Sequence, residues 1–290
     1  MPLNANICPI CMHNESRVTF TTEYFQKEVQ VWRCKDCDFD FINTNLAPQQ
    51  DSNDSSSETP EDIVKKYYLN FVIDREVASK SLDKRMPIFS RIRGSDIRDV
   101  LEIGCGPGTA YNWFRKNNIN WMGLDVDENA LDHAEKWDIP VSSQSIEEIN
   151  SKFDLIYFHQ VLEHVMDPVD FLKKIKNLLK PDGVVAAGVP NNNGFTAIFR
   201  RLLNKKYPLD YGFIQIPYHL RAYNKKSLTK LFNIAEIEVC EMNEVESFHE
   251  IYGEWYGSQN STIVKMIFKF GSFLGFGTLL YGIGKMRDFS

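Results

Sequence analysis

Asp99-Val100-Leu101-Glu102-Ile103-Gly104-Cys105-Gly106-Pro107-Gly108 is the stretch whose reading decides the fold. A short apolar run carries one acid and then opens into a turn with glycine at every second position. Glycine there admits backbone angles that a side chain forbids and lets a ligand approach the main chain closely. A helix must follow, and its free N–H groups face back into the same crevice. A parallel sheet holds a nucleotide-like ligand in this way, at the carboxyl ends of its strands. The spacing is E-x-G-x-G-x-G, and the chain has no G-x-x-x-x-G-K-[ST] phosphate loop.

Working outward, strands and helices alternate from residue 98 to 189, which predicts an α/β fold with a doubly wound, mostly parallel sheet. Strands are expected near 99–103, 121–125, 140–143, 153–158 and 183–189. After an interruption from 191 to 222, Lys225 to Asn233 reads as a helix capped by Asn224, and Ala235 to Glu241 as a strand. Residues 61 to 93 read as two helices, with Thr59 as cap and Pro60 at the first position.

The glycine stretch resembles the first motif of class I S-adenosylmethionine-dependent methyltransferases. The resemblance continues through Trp121-Met122-Gly123-Leu124-Asp125-Val126-Asp127, Phe153 to Phe158, His159-Gln160-Val161-Leu162-Glu163-His164-Val165, and Lys180-Pro181-Asp182-Gly183, in the family's order. Asp125 alone does not separate this family from NAD binders, which also place an acid about twenty residues past the loop. The later pieces suit the methyltransferase pattern. The resemblance implies a Rossmann-like fold and S-adenosylmethionine as cofactor. It assigns Glu102, Gly104, Gly106 and Gly108 to the methionine part, Asp125 to the ribose, Val126 to the adenine, Ser145 and Ile146 to the adenine edge, and His159 and Gln160 to the methyl-transfer crevice. Many members carry an acid or amide where this chain has Ser145. Tyr67 and Tyr68 read either as a cover over the methionine end or as half-buried packing residues.

Methyl transfer to oxygen or carbon also needs a base for the acceptor's proton. His159, His164 and His219 are the candidates, because histidine titrates near neutral pH without help from a metal.

Four of the six cysteines form Cys8-Pro9-Ile10-Cys11 and Cys34-Lys35-Asp36-Cys37. The two C-x-x-C knuckles resemble a zinc ribbon, with Thr19 to Thr21 and Val29 to Arg33 as its strands. Cys8, Cys11, Cys34 and Cys37 then bind one structural Zn²⁺ in a closed four-thiolate site that leaves no position for catalysis. Disulfides are the alternative, disfavoured in a reducing compartment. The resulting plan is a small N-terminal zinc-ribbon module over 1–46, a polar, serine-rich linker over 47–60 and a methyltransferase domain over 61–290. That domain has an insertion at 191–222 and an atypical tail at 262–290.

The 290 residues carry 33 basic and 39 acidic side chains, a formal charge of −6 that gives no general attraction to nucleic acid. Met1-Pro2-Leu3-Asn4-Ala5-Asn6 has no secretory pattern, so a cytoplasmic location is expected. The segment from Phe199 to Lys230 has eight cations and one acid, Asp210. It reads either as a solvated face or as a surface for an anionic acceptor such as a nucleotide sugar or a lipid-linked glycan. Phe270 to Gly284 is apolar and uncharged, and no acid falls between Ser261 and Arg287. It is too short to span a bilayer, and reads as buried core, an atypical last strand or a peripheral membrane contact.

The resemblance is closest to the group of ubiquinone-biosynthesis O-methyltransferases and the sugar methyltransferases of glycan and antibiotic pathways. It implies an enzyme that methylates a small molecule, at an oxygen or carbon of a sugar or glycan precursor. The alternatives are an RNA methyltransferase that reads through its ribbon, or a catalytically inactive S-adenosylmethionine-binding protein. Residues 1 to 50 hold four basic and six acidic residues, where an RNA-reading ribbon should be basic.

Overall fold

A computed structural model describes residues 6–43, 71–202, 209–245 and 277–286. The proposed linker, Thr59, Pro60, Tyr67, Tyr68 and tail residues 262–276 lie outside those residues. Strands β1 (Ser16–Tyr24) and β2 (Lys27–Cys34) form the expected antiparallel hairpin, and β3 (Asp40–Phe41) adds to it. One helix, α1 (Phe71–Arg93), fills the described part of 61–93. It continues through Pro87.

Next come β4 (Asp99–Ile103), α2 (Tyr111–Lys116), β5 (Asn120–Leu124), α3 (Glu128–Lys136), β6 (Val141–Ser142), β7 (Phe153–His159), α4 (Pro168–Asn177) and β8 (Leu179–Pro190). β4 pairs in parallel with both β5 and β7, and β5 with β6. β7 is buried from Phe153 to Phe158, as a strand covered on both faces must be. α3 starts where Asp127 accepts the N–H of Asn129 at 3.0 Å, and buries Ala130 and Ala134 on one stripe.

The 191–222 insertion contains α5 (Phe195–Leu202), β9 (Asp210–Tyr211), β10 (Ile214–Gln215) and β11 (Arg221–Ala222). α6 (Lys225–Ile234) opens on Asn224, whose side chain accepts from Ser227 N while Ser227 Oγ accepts from Asn224 N. This is a reciprocal cap with serine in the usual place of Glu. β12 (Ile237–Val245) follows, and β13 (Leu279–Met286) closes the described chain.

The main sheet has the strand order β12-β13-β8-β7-β4-β5-β6. The described end of the uncharged tail is therefore a sheet strand between β12 and β8, buried from Leu279 to Gly284. Apolar residues on both sides of a strand are what an interior position requires. The membrane-contact reading of the tail accordingly has no support from residues 279–284.

The chain divides into two compact units. One comprises residues 49–159, 174–187 and 283–290, and carries the glycine turn. The other comprises 1–48, 160–173 and 188–282, so the cysteine module belongs with the insertion. Within it β3 pairs with β11, giving a four-stranded sheet of order β1-β2-β3-β11. Cys105 is buried in its turn and Cys240 is half-buried in β12.

Candidate active site and four-cysteine centre

In the first unit, Gly104, Gly106 and Gly108 all take left-handed backbone angles, with φ of 68°, 55° and 77°. A Cβ at Gly106 would meet no atom within 4 Å, so the turn is an open cradle there. One at Gly108 would lie 2.5 Å from Ile139 Cγ2. Strain forbids a side chain at the first position, and strain and space together forbid one at the second.

Asp125 sits one residue beyond β5. Its Oδ2 accepts Gly106 N–H at 2.6 Å and its Oδ1 accepts Asp127 N–H at 2.9 Å. These bonds aim the carboxylate across the glycine turn, and each oxygen keeps a further lone pair for a ligand hydroxyl. Val126 next to it is 88% exposed, a valine held in the open beside the cradle. Glu102, near the end of β4, is buried. Trp121 Nε1 donates to its Oε2 at 2.8 Å, and the Tyr157 hydroxyl nearby favours the charged form. Burial pushes the Glu102 carboxyl up to about 7, against the pull of those donors. A cation at this position would draw it back to the charged form.

Ser145 uses its hydroxyl to cap the 3-10 turn Ile146–Glu148, accepting Glu147 N–H at 3.3 Å, and Glu148 returns a bond to Ser145 N. Ser145 is exposed and Ile146 half-buried. His159 ends β7, half-buried. Gln160 takes a left-handed φ of 56°, with its N–H given to Gly188 O at 2.8 Å. Such an angle at a long side chain is sparsely populated and concentrates at ligand sites.

In the second unit the structure brings together two of the three candidate bases. The His164 and His219 rings lie 4.7 Å apart, edge to face. His164 Nδ1 lies 3.0 Å from Tyr218 O. A carbonyl only accepts, so the proton is on Nδ1 and the Nε2 lone pair is free to take another. His219 is held neutral: burial, with His164 and Arg200 nearby, pushes it down to about 3. Glu163, 1% exposed, joins them, with a ligand atom of each of the three groups within 4.8 Å of the others. Among the described residues neither Glu163 carboxylate oxygen has a hydrogen-bond partner, and burial pushes its carboxyl up to about 8. In the sequence Glu163 stands beside the candidate base His164 with no role of its own. Its adjacency to His164 was visible there, but its burial was not.

The four cysteine sulfurs lie within 4.8 Å of one another, with Cys8–Cys37, Cys11–Cys34 and Cys11–Cys37 at 3.6, 3.5 and 3.7 Å. A tetrahedral ion with Zn–S of about 2.3 Å needs S···S edges of about 3.8 Å, so the set fits one metal ion. All four are free thiols. The two knuckles repeat one backbone plan. Cys8 O accepts Met12 N–H and Cys34 O accepts Asp38 N–H, and both Met12 and Asp38 have a φ of 57°. Cys34 Sγ also accepts from the N–H groups of Asp36 and Cys37. A hydrogen bond from Cys37 pulls the Cys8 thiol down to about 6, while burial pushes Cys11 up to about 12. Thiolates this close repel one another, and a bound cation supplies the charge that lets them deprotonate together.

Three cations of the basic run from Phe199 to Lys230 lie beside acids of the cysteine module. Lys226 meets Asp38 at 3.0 Å, Lys230 meets Asp36 at 3.3 Å, and Arg201 lies 3.6 Å from Asp40. Arg221 is 1% exposed. Part of the cationic run is therefore internal neutralisation of the cysteine module's acids.

A doubly wound sheet with an acid clamped across a glycine turn is the arrangement a nucleotide-type cofactor requires. The chain belongs to the methyltransferase-domain family, whose model matches residues 65–241. It is similar to a probable S-adenosylmethionine-dependent methyltransferase of Mycolicibacterium smegmatis, 29% identical over 147 residues, 49% of this chain and 52% of that one. It is also similar to a ubiquinone biosynthesis O-methyltransferase of Actinobacillus pleuropneumoniae, 34% identical over 102 residues, 30% of this chain and 44% of that one. The chain spans about half the length of the curated relatives it matches. A crystal structure of a SAM-dependent methyltransferase from Archaeoglobus fulgidus superposes with a TM-score of 0.51 at 16% identity, covering 76% of this chain and 98% of that one. The plantazolicin methyltransferase BpumL in complex with SAH gives 0.50 at 15%, covering 79% and 92%. Both likenesses show the fold.

Proposed function

We propose that the protein transfers a methyl group from S-adenosylmethionine to an oxygen or carbon of a small-molecule acceptor of the sugar or glycan-precursor class. The observation that carries the cofactor half is the Asp125 carboxylate, tied to Gly106 and Asp127 N–H with lone pairs left over. Glu102 offers a buried carboxylate for the ammonium of the methionine part. The Gly104–Gly108 turn, open at Gly106, leaves room for that part, and Val126 offers an apolar surface for the adenine. The bound cofactor supplies an already activated methyl group. The protein's task is to align the acceptor and take its proton.

His164 is the base in this reading. Its Nδ1–H is fixed by Tyr218 O, which leaves the Nε2 lone pair as the proton acceptor, and partial burial holds the imidazole below its ordinary value, in the neutral form a base needs. His219, held neutral, packs against it and keeps a second positive charge away. The Cys8, Cys11, Cys34 and Cys37 cluster holds one structural Zn²⁺, with no part in the chemistry. The sugar or glycan acceptor rests on the sequence resemblance, and the named relatives include ubiquinone O-methyltransferases. RNA as acceptor is disfavoured because Arg33 and Lys35, two of the module's four cations, are paired to Asp40 and Glu15.

Calorimetric titration of S-adenosylmethionine and SAH tests the cofactor half. Micromolar affinity that is unchanged in Asp125→Ala overturns the site. A screen of nucleotide sugars and phenols against labelled cofactor tests the acceptor class. Labelling of phenols alone excludes the sugar reading.

A further inference from the structure

Asp40 is fully buried in the strand that follows the second cysteine knuckle. Its carboxylate accepts Arg33 Nε and Nη2, each at 2.6 Å, and Asn192 Nδ2 at 2.7 Å. Arg201 approaches at 3.6 Å. Asn192 is buried too and passes the link onward. Its main-chain oxygen accepts Arg201 Nη2 at 2.7 Å, and its Oδ1 accepts Phe213 N–H at 3.3 Å. One carboxylate thus ties the cysteine module to the start of the insertion, to α5 and to the turn that leads into β10.

The same place is fixed a second time through the backbone. Ala222 pairs with Asp40 and Arg221 with Phe41. The Arg221 guanidinium donates to the carbonyls of Ile42, Leu220 and Met166. Leu220 N–H donates to Glu163 O at 3.1 Å, and His219 N–H to Gln215 O at 2.8 Å. Hydrogen bonds, the β3–β11 pairing and short stretches of chain lead from buried Asp40 to His219, which packs against the exposed His164. By contrast, the Lys226–Asp38 and Lys230–Asp36 pairs are exposed, and such pairs hold little.

We propose that Asp40 is a positioning residue for the acceptor-side histidines: it sets where β11 and the Phe213 turn lie, and through them where His219 meets His164. The cysteine module then acts on methyl transfer through geometry, and its metal does so only by holding the knuckle from which β3 starts. The functional meaning of this placement rests on the reading of His164 as base.

The test uses the full chain as Asp40→Asn, which keeps shape and removes charge, and Asp40→Glu, which keeps charge. Asn192→Ala cuts the same link from the other side and leaves the Arg33–Asp40 pair intact, so it decides the matter if Asp40→Asn does not fold. Three readouts are taken. SAH affinity by calorimetry should stay within twofold of the parent. Amide exchange at residues 213–222 should speed at least tenfold. The imidazole ¹⁵N signals of His164 and His219 should move in Asp40→Asn and Asn192→Ala, and return toward the parent in Asp40→Glu. A variant that only melts earlier, with exchange at 213–222 and both imidazole signals unchanged, overturns the proposal. If the signals move but His164→Gln leaves methyl transfer intact, the positioning stands and the assignment of the base fails.

Discussion

The glycine turn and the histidine cluster solve opposite problems. In the turn, the two carboxylates at the cradle are each held by a neighbour close in sequence or on the next strand. Asp125 holds Gly106 and Asp127 N–H, and Trp121 holds Glu102. In the cluster, Glu163 is buried with both oxygens unpartnered among the described residues, and His219 is held neutral by its surroundings. The turn is pre-formed and needs only a ligand. The cluster carries an electrostatic cost of the kind that marks functional sites. Backbone donors on adjacent strands build a cofactor site cheaply, whereas an acceptor site depends on segments brought together from far apart in sequence.

Metal removal should separate the two regions most sharply. Structural Zn²⁺ in such sites is worth about 10–16 kcal/mol of folding free energy. Chelation should therefore unfold residues 6–43 and expose β11 to exchange, while SAH affinity changes little. Metal analysis that finds no bound zinc in fresh protein, or chelation that abolishes SAH binding outright, would break the contrast.

Glu163→Gln probes the cost in the cluster. The folded-state carboxyl, at about 8, lies above its ordinary 4.5. The stability that the protonated form contributes is complete below 4.5 and is lost as the pH rises through 8. Glutamine has no such loss. The variant should gain on the parent from pH 5 to pH 9, by about 2–4 kcal/mol after relaxation. Urea titrations at both pH values measure it. A parent that is the more stable at pH 9 would mean that a cation holds the carboxylate.

Asp125→Ala should weaken S-adenosylmethionine by about 1.5–3 kcal/mol, the range for hydrogen bonds to a charged group. The smallest effect concerns Glu102. With its carboxyl near 7, a proton competes with the ligand's ammonium. Cofactor affinity should fall as the pH drops below 7, approaching about 1.4 kcal/mol per unit, and binding near neutral pH should take up fewer protons than it releases. Calorimetry in buffers of different ionisation enthalpy reads the proton count, and Glu102→Gln should flatten the slope.

The order of elements, the glycine turn, the Asn224 cap and the pairing of knuckles were legible because each is local. A left-handed angle calls for glycine, a cap for asparagine, and a two-thiolate loop for C-x-x-C within a few residues. What the tail does was not legible: Phe270 to Gly284 admits core, a last strand or an interface, because hydropathy reports that a segment avoids water and not what covers it. Only the tertiary structure placed Leu279–Met286 between β12 and β8. Likewise Arg201, Lys226 and Lys230 read as a cationic surface until the fold set them beside Asp40, Asp38 and Asp36. Composition counts charges and cannot say which of them meet. Burial of Glu163 and Asp40, and with it the energetics of the acceptor side, belongs to long-range packing, which no short stretch of sequence encodes.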